Sequence, residues 1–164
     1  MSKVIRRGVF ETNSSSSHSV SIQKGDISGS YLTVNPEDNK VHVEFGEYGW
    51  GYDTLRSQSE RLSYICTMLM MTEARRVASV EDVFETDGFK QINSDIAEKC
   101  NCEGICFDDE IKMSSWGIDI DGYIDHQSCE DYSNIREFLN DYNTDIINFV
   151  FNDGVTVVID NDNH

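Results

Sequence analysis

Four of the five cysteines, Cys100, Cys102, Cys106 and Cys129, fall within thirty residues, and His126 lies among them. Thiolate and imidazole are the donors zinc prefers, four of them in a tetrahedron and commonly as two close pairs. Three residues separate Cys102 from Cys106, and two separate His126 from Cys129, so each pair can converge on one ion across a turn. Gly104 lies inside the first pair, where a tight turn would require it. The expected site is a Zn2+ ion on Cys102, Cys106, His126 and Cys129, with Cys100 able to replace either member of the first pair. The plain alternative is that these thiols are buried small hydrophobes. That is the reading for Cys66, which sits on the apolar face of a predicted helix.

The run Asn13-Ser14-Ser15-Ser16-Ser17-His18 sets hydroxyls beside an imidazole. Nucleophilic catalysis needs a base and an oxyanion hole assembled in space. Neighbours on a strand point to opposite faces, so Ser17 and His18 cannot pair with each other, and no G-x-S-x-G elbow is present. The run is expected to be a polar turn entering a strand, with His18 as a metal ligand the functional alternative. Asp119-Ile120-Asp121-Gly122-Tyr123-Ile124-Asp125 loosely resembles a calcium loop, but Tyr123 and Ile124 stand where an EF-hand needs an oxygen ligand and a glycine. Its alternation fits a strand with an exposed acidic face. There is no phosphate loop, dinucleotide fingerprint or H-E-x-x-H helix, so no enzyme is expected. No basic patch with interleaved aromatics occurs, which argues against direct nucleic-acid binding.

These residues are carried by a chain of 164 residues with a formal charge of −17. The charge is lopsided: +1 over residues 1–40, −5 over 41–100 and −13 over 101–164. Such a potential repels nucleic acid and anionic membranes and attracts basic surfaces; plain solubility is the simpler explanation. The carboxylates expected to meet a basic partner are Asp108, Asp109, Glu110, Asp119, Asp121 and Asp125. No apolar run is long enough to span a bilayer, and the basic N-terminus is followed by a polar stretch rather than an apolar one. A cytoplasmic protein with reduced cysteines is expected.

The elements that must position the site read as follows. Strands are predicted at 4–10, 18–22, 31–34 and 41–45, the last two forming a hairpin across Asn35-Pro36-Glu37-Asp38-Asn39. The best helix covers 55–77, with Leu62, Ile65, Leu69 and Met70 on one face and Thr54 as its cap. Ser79 is a second cap, with Asp82 three residues on. Phe84, Phe89, Ile92 and Ile96 continue an amphipathic pattern that breaks near Gly88. Short strands are predicted at 104–107, 110–113 and 118–124, and a helix from Ser128 or Glu130 to Tyr142. Residues 146–151 are ambiguous between helix and strand, and 155–159 close the chain as a strand after an Asn152-Asp153-Gly154 turn. Strands early and late with helices between predict one α+β domain over residues 1–164, mostly antiparallel, with two to three helices.

The run Arg7-Gly8-Val9-Phe10-Glu11-Thr12-Asn13-Ser14-Ser15-Ser16-Ser17-His18-Ser19 resembles the start of a group of small phage and prophage proteins. The Asp125-His126-Gln127-Ser128 segment and the Asp160-Asn161-Asp162-Asn163 ending are similar to that group as well. With its size, acidity and zinc-capable cluster, the chain looks like the zinc-containing type II-A anti-CRISPR proteins of phage. That resemblance implies inhibition of a type II RNA-guided nuclease in an infected host, by binding its recognition lobe and blocking target-DNA loading. Such nucleases hold their heteroduplex in a positively charged channel, which suits an acidic inhibitor. The alternatives are a metal-dependent hydrolase or transferase, with His18 and His126 near Asp125, and a phage structural accessory protein.

Overall fold

The computed structural model describes residues 2–8, 16–23, 25–49 and 51–161, with side chains described at 18–23, 25–49, 51–125 and 128–160. Strands come first and last and helices between. In order they are β1 (Ser2–Gly8), β2 (Ser16–Gln23), β3 (Val34–Asn35), β4 (Lys40–Val43), β5 (Glu47–Tyr48) and β6 (Asp53–Leu55). Helices α1 (Gln58–Met71), α2 (Val80–Val83) and α3 (Asp87–Cys100) follow, then β7 (Ile105–Phe107), β8 (Lys112–Ser114), β9 (Gly117–Asp119) and β10 (Tyr123–Ile124). The chain ends through α4 (His126–Cys129), α5 (Ile135–Asp141), α6 (Ile146–Phe151) and β11 (Val155–Asn161). This is the expected α+β class. The largest sheet is antiparallel in the order β1-β2-β11-β6. A second runs β3-β4-β7, with β3–β4 an antiparallel hairpin and β4–β7 parallel. Two pairs remain, β5 with β10 and β8 with β9.

Local chemistry explains where helix boundaries depart from the sequence reading. Helix α1 starts at Ser57 rather than Thr54, because Ser57 and Glu60 form a reciprocal capping box that satisfies two of the helix's free N–H groups. Residues 53–55 instead join the edge of the large sheet. Ser79 caps α2, its side chain accepting from the Asp82 N–H. The amphipathic pattern breaks just before Gly88, since the Thr86 side chain caps α3. Asn101, at φ 51° and ψ 56°, ends α3 in the left-handed region, a conformation Asn tolerates better than most residues. The helix expected to reach Tyr142 is divided, with Asn134 capping α5 by accepting from the Glu137 N–H at 2.9 Å. Asp145 caps α6 in the same manner, which resolves residues 146–151 as helix.

The core joins α1 to α6 and β11. Leu62, Ile65, Leu69 and Met70 are buried, together with Phe149, Val150, Val155, Val157 and Ile159. Each large apolar side chain removed from water contributes roughly 1.5–3 kcal/mol. Arg61 is also fully buried. Its guanidinium donates to the Phe149, Val150 and Val155 carbonyls at 2.8, 2.6 and 3.2 Å and to the Arg56 carbonyl. It thereby satisfies carbonyls where α6 turns into β11, and ties that corner to α1. Among the described residues no helix is long and apolar enough to cross a membrane.

Candidate metal centre and a buried histidine cluster

The β3–β4 hairpin and β7 build one polar group on the surface. Val41 and Val43 face inward, so the alternation of a strand turns His42 outward. In the parallel β4–β7 pairing His42 stands beside Cys106, and Asp108 lies two residues on, at the end of the strand. Gly104 makes the entry to β7: at φ +112° it occupies a conformation that other residues rarely adopt, and a Cβ would run into the Asn93 side chain. Asn93 in turn accepts from the Ile105 N–H at 2.8 Å. Asp38, in the hairpin turn, is fixed by the Lys40 N–H at 3.1 Å.

His42 lies between two carboxylates, Nε2 at 2.7 Å from Asp38 and Nδ1 at 2.5 Å from Asp108. Neutral imidazole has one N–H, so both bonds are made only by the cation. The Asp108 hydrogen bond, then that of Asp38, raises the His42 pKa above its ordinary value. One ligand atom each from Asp38, His42 and Cys106 lie within 4.8 Å of one another, and this is the one group of three or more metal-capable side chains among the described residues. Imidazole and thiolate suit zinc, and the carboxylate completes a set of zinc-compatible donors. An ion taken by Asp38, Nε2 and Cys106 would leave Nδ1–H donating to Asp108, the arrangement that commonly orients a metal-bound histidine.

Among the described residues, Cys106 is thus the one predicted ligand found in such a group. Cys102, past the end of α3, sets its thiol 3.5 Å from the Gly104 carbonyl. Cys129 is buried in α4, its thiol 3.7 Å from the Ile124 carbonyl, and burial pushes its pKa up to about 11. Cys100 meets the Ser30 hydroxyl at 3.2 Å, and Cys66 is fully buried, as expected. The His126 side chain lies outside the described residues, as do Ser14, Ser15 and the side chains of Ser16 and Ser17. The sequence reading passed over Asp38 and His42. Their signals were the i, i+4 spacing and a histidine between two inward valines.

The second group is buried. His18 sits on β2, in register with Arg7 on β1 and Ile159 on β11, and is 3% exposed. Its Nδ1 is 2.8 Å from the hydroxyl of Tyr64 on α1, and its Nε2 is 3.5 Å from Asp125 Oδ2. Asp125 accepts from the Ser128 hydroxyl at 2.9 Å, and its N–H donates to the Tyr48 carbonyl at 3.0 Å. Gly49, at φ +155°, allows the close approach, since a Cβ there would lie 2.7 Å from the Asp125 Cβ. Burial lowers the His18 pKa to about 4, against the opposing attraction of Asp125. The imidazole is therefore neutral near pH 7. With Nε2 facing a carboxylate, the proton belongs on Nε2, and Nδ1 accepts from Tyr64. Residues distant in the chain converge here: Asp125 meets His18, while Asp160 and Asn161 of β11 pair with Ser17 and Ser16.

Of the six carboxylates expected to face a partner, Asp108, Glu110, Asp119 and Asp121 are exposed. Asp108 also binds His42, and Glu110 lies 3.4 Å from Lys112. Asp109 is half-buried and accepts from the Phe45 N–H at 2.7 Å. Asp125 is buried against His18, so its place is inside the fold rather than on a contact surface. Comparison with protein-family models, curated proteins and solved structures finds no match to this chain.

Proposed function

We propose that this chain is a non-catalytic acidic protein that docks on a basic, nucleic-acid-handling surface of a host protein in the bacterial cytoplasm. The type II CRISPR nuclease is the case to which the phage resemblance points. The carrying observation is the exposure of Asp108, Glu110, Asp119 and Asp121 within the segment that holds most of the negative charge. Clustered carboxylates steer association with a basic surface and compete with nucleic acid for it. The test is surface binding to purified nuclease–guide complex across a salt series, with target-DNA loading scored in parallel. Association should slow as salt rises, and neutralising Asp108 and Glu110 should slow it more than neutralising Glu37 and Glu47. A salt-independent rate, or equal effects from both pairs, overturns the reading.

The same reading includes a zinc ion on Asp38, His42 and Cys106, supported by their clustering and donor types. Three protein ligands leave a fourth position for water or for a partner's side chain. Metal analysis of protein purified without added metal should find about one zinc per chain, lost in Cys106→Ser; zinc retained in that variant refutes the assignment. A second reading, a metal-dependent hydrolase or transferase on His18, has the His18–Asp125 approach in its favour. Hydrolysis of a phosphoester or acyl substrate that disappears in His18→Gln, with the fold intact, would establish it.

A further inference from the structure

We infer that the groove between α2, the start of α3 and β7 is the docking site for a basic amphipathic helix; this rests on the basic-partner reading above and names the surface that serves it. The groove encloses about 460 Å³, and Val80, Phe84, Phe89, Ile105, Phe107 and Ile111 supply its apolar lining. Phe84 is 39% exposed, a large aromatic left facing water. Beneath it the rings are locked together. Phe84 meets Phe89 edge-on at 5.0 Å, Phe89 meets Phe107 at 5.9 Å, and Phe107 meets the buried Phe45 at 4.8 Å. The floor is therefore anchored in the core, and an incoming side chain needs no rearrangement to find it.

Charge selects the occupant. The α2 bank carries exposed Glu81, Asp82 and Glu85, and Glu103 and Asp109 line the β7 bank. No basic residue occurs within 80–89 or 103–111. Lys40 is the cation in the groove wall, and Lys90 lies 3.0 Å from Glu85. An apolar trough between two acidic banks matches a helix with an apolar stripe flanked by lysine or arginine. A second copy of this chain would bring like charge against like. An added strand would have only β7 to pair with, an edge strand of three residues.

The probe is a synthetic peptide of about 18 leucines and lysines with leucine at helical i, i+3, i+4, i+7 spacing, beside a scrambled peptide of the same composition. Binding is followed by amide chemical shifts of the full chain across a salt series. The helical peptide should bind saturably, with the largest shifts at Phe84, Phe89 and Phe107. Phe84→Ala should weaken it about tenfold, as for an interface anchor. Val80→Asp should act in the same direction, and both variants are checked for an unchanged melting curve. Equal, salt-sensitive binding of the scrambled peptide overturns the groove and leaves the basic-surface reading standing. Shifts centred elsewhere, shifts confined to β7 backbone amides with an extended peptide, or indifference to both substitutions also overturn it. Failure of both peptides to bind overturns groove and reading together.

Discussion

His18 and His42 each stand beside a carboxylate, His18 at 3.5 Å from Asp125 and His42 at 2.7 Å from Asp38. Their proton affinities are displaced in opposite directions. At His18 the cost of burying a charge outweighs the nearby carboxylate, and the ring is held neutral. At His42 the hydrogen bonds to Asp108 and Asp38 outweigh desolvation, and the proton affinity of the ring is raised. Proximity to an aspartate therefore does not fix the state of a histidine; the balance of lost water against gained hydrogen bonds does. The buried site favours shape, and the exposed one favours exchange of a proton for another cation.

The largest effect should separate the two sites by pH. The His18 pKa is lowered from 6.5 to about 4, so the unfolded chain takes up its proton first. Its contribution is fully present above 6.5 and is lost as pH falls toward 4. The loss is about 3 kcal/mol at 1.36 kcal/mol per pKa unit. Urea unfolding of the wild type and His18→Gln at several pH values should show that extra slope in the wild type alone; parallel curves would break the comparison. His42 tilts the profile the other way. Its raised pKa gives a contribution present below 6.5 and lost as pH rises through the folded-state value.

Next in size is Tyr64→Phe, which strips the partner from a buried imidazole nitrogen and should cost roughly 1–3 kcal/mol. A stability unchanged by that substitution would mean the Tyr64–His18 bond does not hold the neutral ring. At the exposed site the response should lie in metal affinity instead. Asp108→Asn should weaken zinc binding about tenfold by releasing the orientation of His42, measured by competition with a chromogenic chelator. Smallest is a difference in thiol access. Cys106 should alkylate before Cys129 under native conditions, since Cys129 is buried with its pKa pushed up to about 11. Mass spectrometry of partly labelled protein gives the order, and the reverse order would undo the contrast.

Much of this arrangement could be read locally. Val41 and Val43 announced a half-buried strand, Ser79 announced a cap, and the face of Leu62, Ile65 and Leu69 announced the central helix. The metal-capable group was not legible in the same local way. Cys102, Cys106 and Cys129 are close in sequence, but a strand and two helix ends carry them to separate partners. Cys106 finds its metal-capable neighbours more than sixty residues earlier, at Asp38 and His42, through a parallel pairing. Parallel register leaves no turn signal between its strands, so spacing within one segment cannot disclose it. His18 with Asp125 is the same case, since nothing in the serine run specifies which carboxylate closes over it.

The pairing of β4 with β7 has a kinetic consequence. Val41 meets Ile105 only after α1, α2 and α3 have been laid between them, and His18 meets Ile159 across most of the chain. Closing such long loops is entropically unfavourable before any contact forms, and chains dominated by distant pairings fold slowly. The β1–β2 and β3–β4 hairpins can form early, but neither histidine site exists until the late pairings are made. On the zinc proposal, a refolding chain should therefore take up the ion in the last phase of folding, so the ion would act as a clock for completion rather than as a seed.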